Sequence, residues 1–250
     1  MFDLIDECGK DLMHCGYETV ELENFGVTSS KLFVDSKRKA KDLGFDQGHY
    51  FIIYAPKLDF LMPEHRSILK EEFSDRLSFL LKENKVGKRS KVLFVGIGNP
   101  SIIADTFGVK CVEKIEIMPY SRKNRYFKII PNTFSNTGIN AYDMIRLLVG
   151  WCGVDLVMLF DSLATTNIGR LGCSVQFNDA GLTPGSAMNN FGLPINKDSL
   201  NVPCISVGVP MMISSKSLGQ KKDVIFTEKD AEGKIDFLSE IVSEVVQELL

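Results

Sequence analysis

Residues 154–161 read VDLVMLFD, an apolar run that ends in a carboxylate. Five apolar residues directly precede Asp161, so the segment lacks the polar alternation of a strand that is exposed on one face. Such a run is typical of a strand buried on both faces of a parallel sheet. A carboxylate at its end is costly to bury, so it needs a partner, a hydrogen bond, a proton or water.

The rest of the chain alternates similar apolar runs with helical patterns. Strands are predicted for residues 30–36, 49–56, 91–100, 173–179 and 202–210, and helices for residues 62–84, 106–118, 136–151, 162–171 and 234–250. This alternation predicts an α/β fold of three layers, with a mainly parallel sheet flanked by helices. We expect a single domain over 1–250, in which 1–62 form an N-terminal extension with short strands and 90–250 form the α/β core.

Composition and charge exclude several classes of protein. A formal net charge of −3 argues against a general nucleic-acid binder. The acidic N-terminus does not resemble a signal peptide, and no apolar stretch approaches the ~20 residues of a membrane span. The six cysteines are scattered without a C-x-x-C pair, which favours reduced thiols in a cytoplasmic protein. All three histidines lie within the first 65 residues, far in sequence from the predicted site, so neither a zinc site nor a Ser-His-Asp triad is suggested.

Three polar loops follow predicted strands, at residues 96–105, 161–167 and 178–190. In α/β sheets, ligands bind where such loops converge beyond the strand ends. Asp105 and Asp161 could share that crevice, and two carboxylates in a partly desolvated site acquire different pKa values, as acid–base hydrolysis requires. Alternatively, each could cap the helix predicted to follow it. A metal held by the carboxylates is a third interpretation, weakly supported without a nearby histidine.

Two glycine-containing segments leave further alternatives open. VGIGNP, at residues 95–100, begins like a dinucleotide-binding turn but lacks the third glycine of G-x-G-x-x-G, so no cofactor is predicted. AGLTPGSAMNN, at residues 180–190, combines turn residues with hydrogen-bonding side chains. That loop could line the groove for an extended peptide, or simply connect two strands.

Five segments occur in one order along the chain: VLFVGIGNPSIIADTFGVKCVEKI, SNTGINAYDMIR, VDLVMLFDSLATTNIGRL, VQFNDAGLTPGSAMNN and VPCISVGVP. Together they resemble the germination protease of spore-forming bacteria, and the resemblance extends over nearly the whole chain. It implies an endopeptidase that degrades small acid-soluble spore proteins during germination, in the cytoplasm of the forespore or spore core. The family is described as atypical aspartic peptidases that need no metal and are made as zymogens. A homo-oligomer is also implied, with no direct contact to nucleic acid or membrane.

The resemblance assigns the chemistry to Asp105 and Asp161, the two positions that the residues themselves indicate. Substrate-binding or supporting roles are expected for Gly96, Gly98, Asn99, Thr137, Gly138, Ser162, Asn178, Asp179, Gly181, Pro184, Gly185, Ser186 and Asn189. FDLIDE, at residues 2–7, is similar to the family's processing site, which implies scission between Asp3 and Leu4. A leader ending at Asp3 is too short to block a groove, so we expect regulation unlike that of a conventional zymogen.

Two alternative functions remain. The implied fold is shared with hydrogenase-maturation peptidases, in which comparable carboxylates contact a metal. The sequence around Asp105, IADTFGV at residues 103–109, differs from the pattern usual in the germination proteases. Because of that difference, the second alternative is that the chain is a non-catalytic relative, which binds spore proteins without cutting them.

Overall fold

The computed structural model describes residues 3–8, 12–22, 26–57, 59, 62–117, 125–185, 192–215 and 224–250. Its strands are β1 (Glu18–Leu22), β2 (Val27–Val34), β3 (Gly48–Tyr54), β4 (Val92–Gly96), β5 (Tyr126–Ile129), β6 (Leu156–Thr165), β7 (Ser174–Asn178), β8 (Cys204–Ser214) and β9 (Ile225–Phe226). Its α-helices are α1 (Lys37–Leu43), α2 (Pro63–Glu83), α3 (Phe107–Lys114), α4 (Phe134–Thr137), α5 (Ala141–Cys152), α6 (Lys197–Leu200) and α7 (Ala231–Leu249).

All of these strands join one sheet, in the order β1-β2-β3-β7-β8-β6-β4-β5, with β9 paired to the end of β8. Strands β5, β4, β6 and β8 are mutually parallel. Strands β1, β2, β3 and β7 add an antiparallel half beside β8. The α/β fold is therefore confirmed, as a mixed sheet whose parallel half carries the apolar run that ends in Asp161. The strands of residues 1–62 lie within the same sheet as those of residues 90–250.

Side chains alternate between the two faces of the sheet, as the period of a strand requires. In β6, Met158 and Phe160 pack into a core that contains the apolar sides of α2, α3 and α7. Val157 and Leu159 point to the opposite face and pack into a core with α5. Asp161 follows the same alternation, so it belongs to the α5 face. This face is the one on which the site forms.

The α5 face is covered in two separate places. Helix α5 covers the parallel half, through a core that includes Ile145 and Val149. Helix α1 and the segment that contains Ile5 and Leu12 cover the antiparallel half. Between these coverings, polar side chains of β6, β7 and β8 line a cavity instead of packing in a core. A gap in one helical layer therefore exposes the middle of the sheet.

Three sequence-based expectations can be compared with these elements. The helix predicted over 162–171 is wrong, because β6 continues through Ser162 to Thr165 and only a short 3-10 helix follows at Ile168–Arg170. By sequence, residues 211–215 (MMISS) and the apolar side of the last helix could pack either on a neighbouring chain or in the chain's own core. They pack in the core, where Met211 and Met212 join Ile235 and Leu238.

The sequence also predicts reduced cysteines and no membrane-spanning segment. All six cysteines are free thiols, as predicted, and four of them are buried. In the part of the chain that the structure describes, no helix combines the length and apolarity needed to cross a membrane.

Candidate active site

Asp161 lies inside β6, where it pairs with Gly208 of β8. Because no helix begins after it, the interpretation of Asp161 as a helix cap is wrong. The side chain is buried and lines the cavity. Burial raises the pKa of Asp161 well above its ordinary value, and the negative charges of Asp105 and Asp3 raise it further. Asp161 therefore retains its proton far more readily than a carboxyl group in water.

Asp105 reaches the same cavity from the segment that follows β4. It ends a short 3-10 helix at Ile103–Asp105, and its Oδ2 accepts a hydrogen bond from the Asn99 N–H at 2.8 Å. The interpretation of Asp105 as a helix cap is also wrong. The N-cap residue of α3 is Thr106, and the Thr106 side chain makes no capping hydrogen bond to that helix. Burial raises the pKa of Asp105 to about 6, although the Asn99 hydrogen bond opposes the shift.

The glycines near Asp105 allow backbone segments to approach closely. A Cβ atom on Gly98, which has φ of +133°, would lie 2.1 Å from the Asp105 carbonyl oxygen. A Cβ on Gly108 would lie 2.1 Å from the carbonyl oxygen of Phe160, the residue before Asp161. Only glycine fits at either position. Gly98 of VGIGNP therefore lets the Asp105 backbone approach the turn after β4, and Gly108 lets the start of α3 lie against β6.

Ser162 and Asn99 support this junction through hydrogen bonds. The Ser162 hydroxyl accepts a hydrogen bond from the Phe107 N–H at 3.2 Å, which satisfies the first amide of α3 from the neighbouring strand. Asn99 contributes its backbone N–H to Asp105 and uses its side-chain oxygen to accept the Ser101 N–H. Both residues line the cavity, as does Gly98.

The cavity has a volume of about 810 Å³. Its floor is a row of buried polar side chains on the α5 face of the sheet, Gln176 and Asn178 from β7 and Ser206 from β8. Asn178 accepts the Ala180 N–H, and Ser206 donates to the Gly181 carbonyl oxygen. Gln176 and Ser206 were not predicted from the sequence. The only available signal was their position at alternate residues of apolar strands.

The loop after β7 forms one wall of the cavity. Gly181 has φ of +85°, and a Cβ there would lie 2.2 Å from the Ile195 carbonyl oxygen. Leu182 and Ile195 exchange two backbone hydrogen bonds, of 3.0 and 2.8 Å, which fix the loop. Gly181, Pro184 and Gly185 line the cavity. Ser186 and Asn189, predicted for the same loop, lie outside the described residues.

Four residues predicted for the site lie elsewhere in the structure. Gly96 is buried at the end of β4, where it contacts the backbone of α3. Thr137 and Gly138 end α4 and do not line the cavity, although Phe134 of that helix does. The Asp179 carboxylate contacts His49 and the Asn84 side chain, away from the cavity. Asp179 therefore joins β3, β7 and the end of α2.

Asp3 is an unexpected member of the cavity lining. Its Oδ2 accepts the Ala164 N–H at 2.9 Å, and its carbonyl oxygen accepts a hydrogen bond from the Gln176 side chain at 3.0 Å. Leu4, the other residue of the predicted processing site, is fully buried. The peptide bond between Asp3 and Leu4 thus lies beside the carboxylate pair.

No group of three histidine, cysteine or acidic side chains able to hold a metal ion occurs among the residues that the structure describes. The polar side-chain groups that line the described site are therefore carboxylates, amides and hydroxyls.

A family model described as germination protease matches residues 9–227. The chain belongs to this family. The germination protease of Clostridium acetobutylicum is 25% identical over 222 residues, which cover 85% of this chain and 67% of that protein. The germination protease of Geobacillus sp. is 29% identical over 189 residues, covering 72% of this chain and 51% of that protein. The germination protease of Priestia megaterium is 27% identical over 208 residues, with 79% and 56% covered.

These germination proteases are longer than this chain, which spans about half to two thirds of their length. Among solved structures, a [NiFe] hydrogenase maturation protease from Thermococcus kodakarensis matches 68% of this chain and 98% of its own, at 17% identity and a TM-score of 0.43. A hydrogenase maturating endopeptidase from E. coli matches 64% and 91%, at 13% identity and a TM-score of 0.35. Membership of the germination protease family supports a peptidase role for this chain.

Proposed function

We propose that this chain is an endopeptidase of the atypical aspartic type, in which Asp105 and Asp161 activate water to cut a peptide bond. The observation that carries the proposal is the meeting of two partly desolvated carboxylates in one cavity, Asp161 from β6 and Asp105 from the segment after the neighbouring parallel strand β4. The proposed substrates are small acid-soluble spore proteins, degraded in the cytoplasm of the forespore or spore core. Family membership supports that substrate class.

The environments of the two carboxyl groups favour different roles. Burial raises the pKa of Asp105 to about 6, so at neutral pH this carboxyl group is ionised in most protein molecules and can accept a proton from water. The pKa of Asp161 is raised by deeper burial and by two negative neighbours, so Asp161 keeps its proton and can donate it. We therefore assign Asp105 as the general base and Asp161 as the general acid, a distinction that the sequence left open.

In the proposed reaction, Asp105 takes a proton from a water molecule as the water oxygen attacks the carbonyl carbon of the substrate. Asp161 donates its proton as the carbon–nitrogen bond breaks, so that the nitrogen leaves as a neutral amine. Proton transfer by positioned groups of matched pKa typically contributes 10²–10⁴-fold to a rate, as a rough guide. The Asp105 carboxylate keeps its orientation through the Asn99 N–H.

The floor of the cavity suits an extended peptide. Gln176, Asn178 and Ser206 project from alternate positions of adjacent strands, so their amide and hydroxyl groups form a row across the sheet. An extended chain presents backbone donors and acceptors at a similar spacing. The loop containing Gly181 and Pro184 borders this row and would limit the width of the bound segment.

Self-association is part of the same proposal, since the family resemblance favours a homo-oligomer. Helix α5 presents Leu147 and Trp151 to solvent, with exposed fractions of 73% and 82%. These residues are four apart and therefore share one helix face. Sedimentation velocity of the wild type and of Trp151→Ser would show whether the chain associates and whether this face takes part.

The decisive experiment is cleavage of a purified small acid-soluble spore protein, followed by intact mass. The wild type is compared with Asp105→Asn and Asp161→Asn, each with and without EDTA. Asp46→Asn is the matched control, because Asp46 is an exposed acid that lines the same cavity. We expect cutting by the wild type and the control alone, insensitive to EDTA. Loss of wild-type cutting in EDTA would favour a metal-dependent peptidase, and binding without cutting would indicate a non-catalytic relative.

A further inference from the structure

The N-terminal segment shows how a peptide backbone is held on the cavity floor. The Gln176 side chain of β7 donates to the Asp3 carbonyl oxygen and accepts the Ile5 N–H, both at 3.0 Å. One side-chain amide therefore holds a carbonyl group and an N–H two residues apart, and such groups lie on the same side of an extended chain. An amide of the floor can thus bind backbone, and Gln176 is already occupied by the chain itself.

Asn178 is the next residue of β7 on the same face of the sheet, and its side chain is only half used. Its Oδ1 accepts the Ala180 N–H at 3.1 Å, which fixes the end of the amide that is oxygen, because the reverse orientation would set two donors against each other. The Nδ2 group makes no hydrogen bond to any residue that the structure describes. Asn178 is only 5% exposed and lines the cavity, so the amide donor is left open to the cavity.

The neighbouring polar groups of the floor are already engaged. The Ser206 hydroxyl has one hydrogen, which it donates to the Gly181 carbonyl oxygen at 3.4 Å. Both ends of the Gln176 amide are bonded to residues 3–5. A buried amide donor without a partner is costly, so a donor that the fold leaves open in a cavity is satisfied by water or by a ligand. In this row of side chains, that open group is Asn178 Nδ2.

Strand register places Asn178 one row away from the general acid. Gln176 pairs with Gly208, and Gly208 pairs with Asp161, so these three residues form one row across β7, β8 and β6. Asn178 belongs to the next row, where it pairs with Ser206. From the usual spacing of strands and residues, the backbones of Asn178 and Asp161 are roughly 12 Å apart. After allowance for the two side chains and their hydrogen bonds, about two to three residues of an extended chain span that separation.

We propose that Asn178 binds the substrate backbone: its Nδ2 donates a hydrogen bond to a carbonyl oxygen of an extended peptide, about two to three residues from the bond that is cut. The contact repeats, at the next position of β7, the one that Gln176 makes with the Asp3 carbonyl oxygen. Because every residue carries a backbone carbonyl, this donor selects an extended chain and not a particular side chain. The inference rests on the proposed function, which places the cut bond at Asp105 and Asp161.

The test uses two variants of Asn178 and a matched control. Asn178→Asp removes the donor and keeps an oxygen that can accept the Ala180 N–H. Because it also adds a negative charge, the control is Asn140→Asp, which adds the same charge to the lining of the same cavity. Asn140 accepts the Tyr142 N–H through its side-chain oxygen, an interaction that aspartate retains. Asn178→Ser is the uncharged second variant, whose hydroxyl can accept the Ala180 N–H.

The first readout is the affinity for a purified small acid-soluble spore protein at pH 7. Fluorescence anisotropy measures it in chains that also carry Asp105→Asn, which prevents cutting under the proposed function. Both variants of Asn178 should raise Kd about three- to tenfold, as the loss of one hydrogen bond predicts, and Asn140→Asp should change Kd by less than about twofold. With Asp105 intact, KM should rise while kcat changes little. An unchanged Kd in both variants of Asn178, or a loss confined to kcat, would overturn the proposal.

The second readout leaves position 178 unchanged. Asp105→Asn is labelled with 15N at its asparagine and glutamine side chains and saturated with the spore protein. The Asn178 Nδ2 resonance should shift, whereas the Gln176 Nε2 resonance should stay in place because that group remains bonded to Asp3. A shift of Gln176 without one of Asn178 would show that the substrate displaces the N-terminal segment, and would overturn the proposal.

These outcomes separate the inference from the proposed function. Binding that depends on Asn178, in a wild-type chain that cuts nothing, would support the Asn178 donor and overturn the peptidase. Cutting by Asn178→Asp and Asn178→Ser with wild-type KM would overturn the inference and leave the peptidase standing. Absence of both binding and cutting by the wild type would overturn both.

Discussion

Asp161 and Asp179 are eighteen positions apart and have opposite surroundings. Asp161 lies within β6 after five apolar residues, whereas Asp179 follows β7, in which polar and apolar residues alternate. Asp161 belongs to the face of the sheet that the helices leave partly uncovered, and it shares a cavity with three other acids, Asp3, Asp46 and Asp105. Asp179 follows β7 by one residue. Its carboxylate accepts the His49 N–H at 2.6 Å, lies 3.0 Å from His49 Nδ1 and accepts a hydrogen bond from Asn84 at 3.1 Å.

The difference arises from strand alternation. In β7, Gln176 and Asn178 point into the cavity, whereas Phe177 points to the core on the other face. Asp179 comes one position after Asn178, so it does not continue the polar row of the cavity. Hydrogen-bond donors contact the Asp179 carboxylate, whereas burial and the negative charges of Asp105 and Asp3 raise the pKa of Asp161.

The largest expected effect separates the two aspartates by activity. Asp161→Asn should lower kcat/KM for the proposed spore-protein substrate by roughly 10³-fold or more, because the variant lacks the proposed general acid. Asp179→Asn should lower it by less than about tenfold, since Asp179 contacts only structural groups. Single-turnover cleavage of both variants at pH 7 provides the measurement. Equal losses of kcat/KM in Asp161→Asn and Asp179→Asn would contradict the different roles expected for the two aspartates.

The next effect concerns pH. Because the pKa of Asp105 is raised to about 6, the general base is progressively protonated as the pH falls through that value. Cleavage should therefore decline about tenfold per pH unit below it. At higher pH, the rate should decline again where Asp161 loses its proton. A profile of kcat/KM against pH measures both limbs, and a rate independent of pH between 4 and 7 would exclude Asp105 as the base.

Stability should respond with opposite signs in the two regions. The folded-state pKa of Asp105 lies above its unfolded value, so the folded chain binds the extra proton and stability falls as the pH rises from about 4 through about 6. Asp105→Asn should therefore raise the free energy of unfolding at pH 8 by roughly 1–3 kcal/mol, and by little below pH 4.

Asp179→Asn should instead lower the free energy of unfolding by about 1–2 kcal/mol, because its new amide group faces hydrogen-bond donors. Urea unfolding of both variants at pH 4 and pH 8 makes the comparison. Stabilisation by Asp179→Asn, or destabilisation by Asp105→Asn at pH 8, would contradict the assigned surroundings.

The last comparison concerns the stability of variants at two glycines, one near each aspartate. In Gly108→Ala, the new Cβ would meet the Phe160 carbonyl oxygen at 2.1 Å, and a backbone atom cannot yield easily. In Gly48→Ala, the nearest atom is Asp179 Oδ1 at 2.7 Å, the end of a side chain, and the nearest backbone atom is the Ala180 nitrogen at 3.0 Å. We expect losses of about 2–3 kcal/mol and about 1 kcal/mol respectively. Thermal unfolding compares them, and cleavage should suffer only in Gly108→Ala.

Much of the architecture follows from the sequence. The apolar runs predicted β3, β4, β6, β7 and β8, and the three-to-four spacing predicted α2 and α7. The two central aspartates were also recognised, since a carboxylate after five apolar residues demands an explanation. The pattern within a short segment fails to predict its secondary structure where that structure depends on residues distant in the chain. SLATTNIGRL, at residues 162–171, suggested a helix, but its first residues pair with β8 as a continuation of β6.

Two parts of the site were beyond the reach of the sequence. Gln176 has no local signal, because its role depends on the N-terminal segment that it binds, 171 residues away from Ile5. Asp3 was predicted only as a processing site by resemblance, and its carboxylate is held by the Ala164 N–H across a separation of 161 residues.

By itself, the sequence determined which segments are buried, that strands alternate with helices, that Asp161 ends an apolar run and that Asp105 lies in the loop after another. These properties depend on hydrophobicity and periodicity, which are local to each segment. Only the tertiary structure decided which face of the sheet stays open, that Asp161 faces it while Asp179 does not, and that Asp3 returns to the same cavity. Those outcomes depend on strand register and on long-range packing, because the charge around a carboxylate is set by neighbours that are distant in the chain.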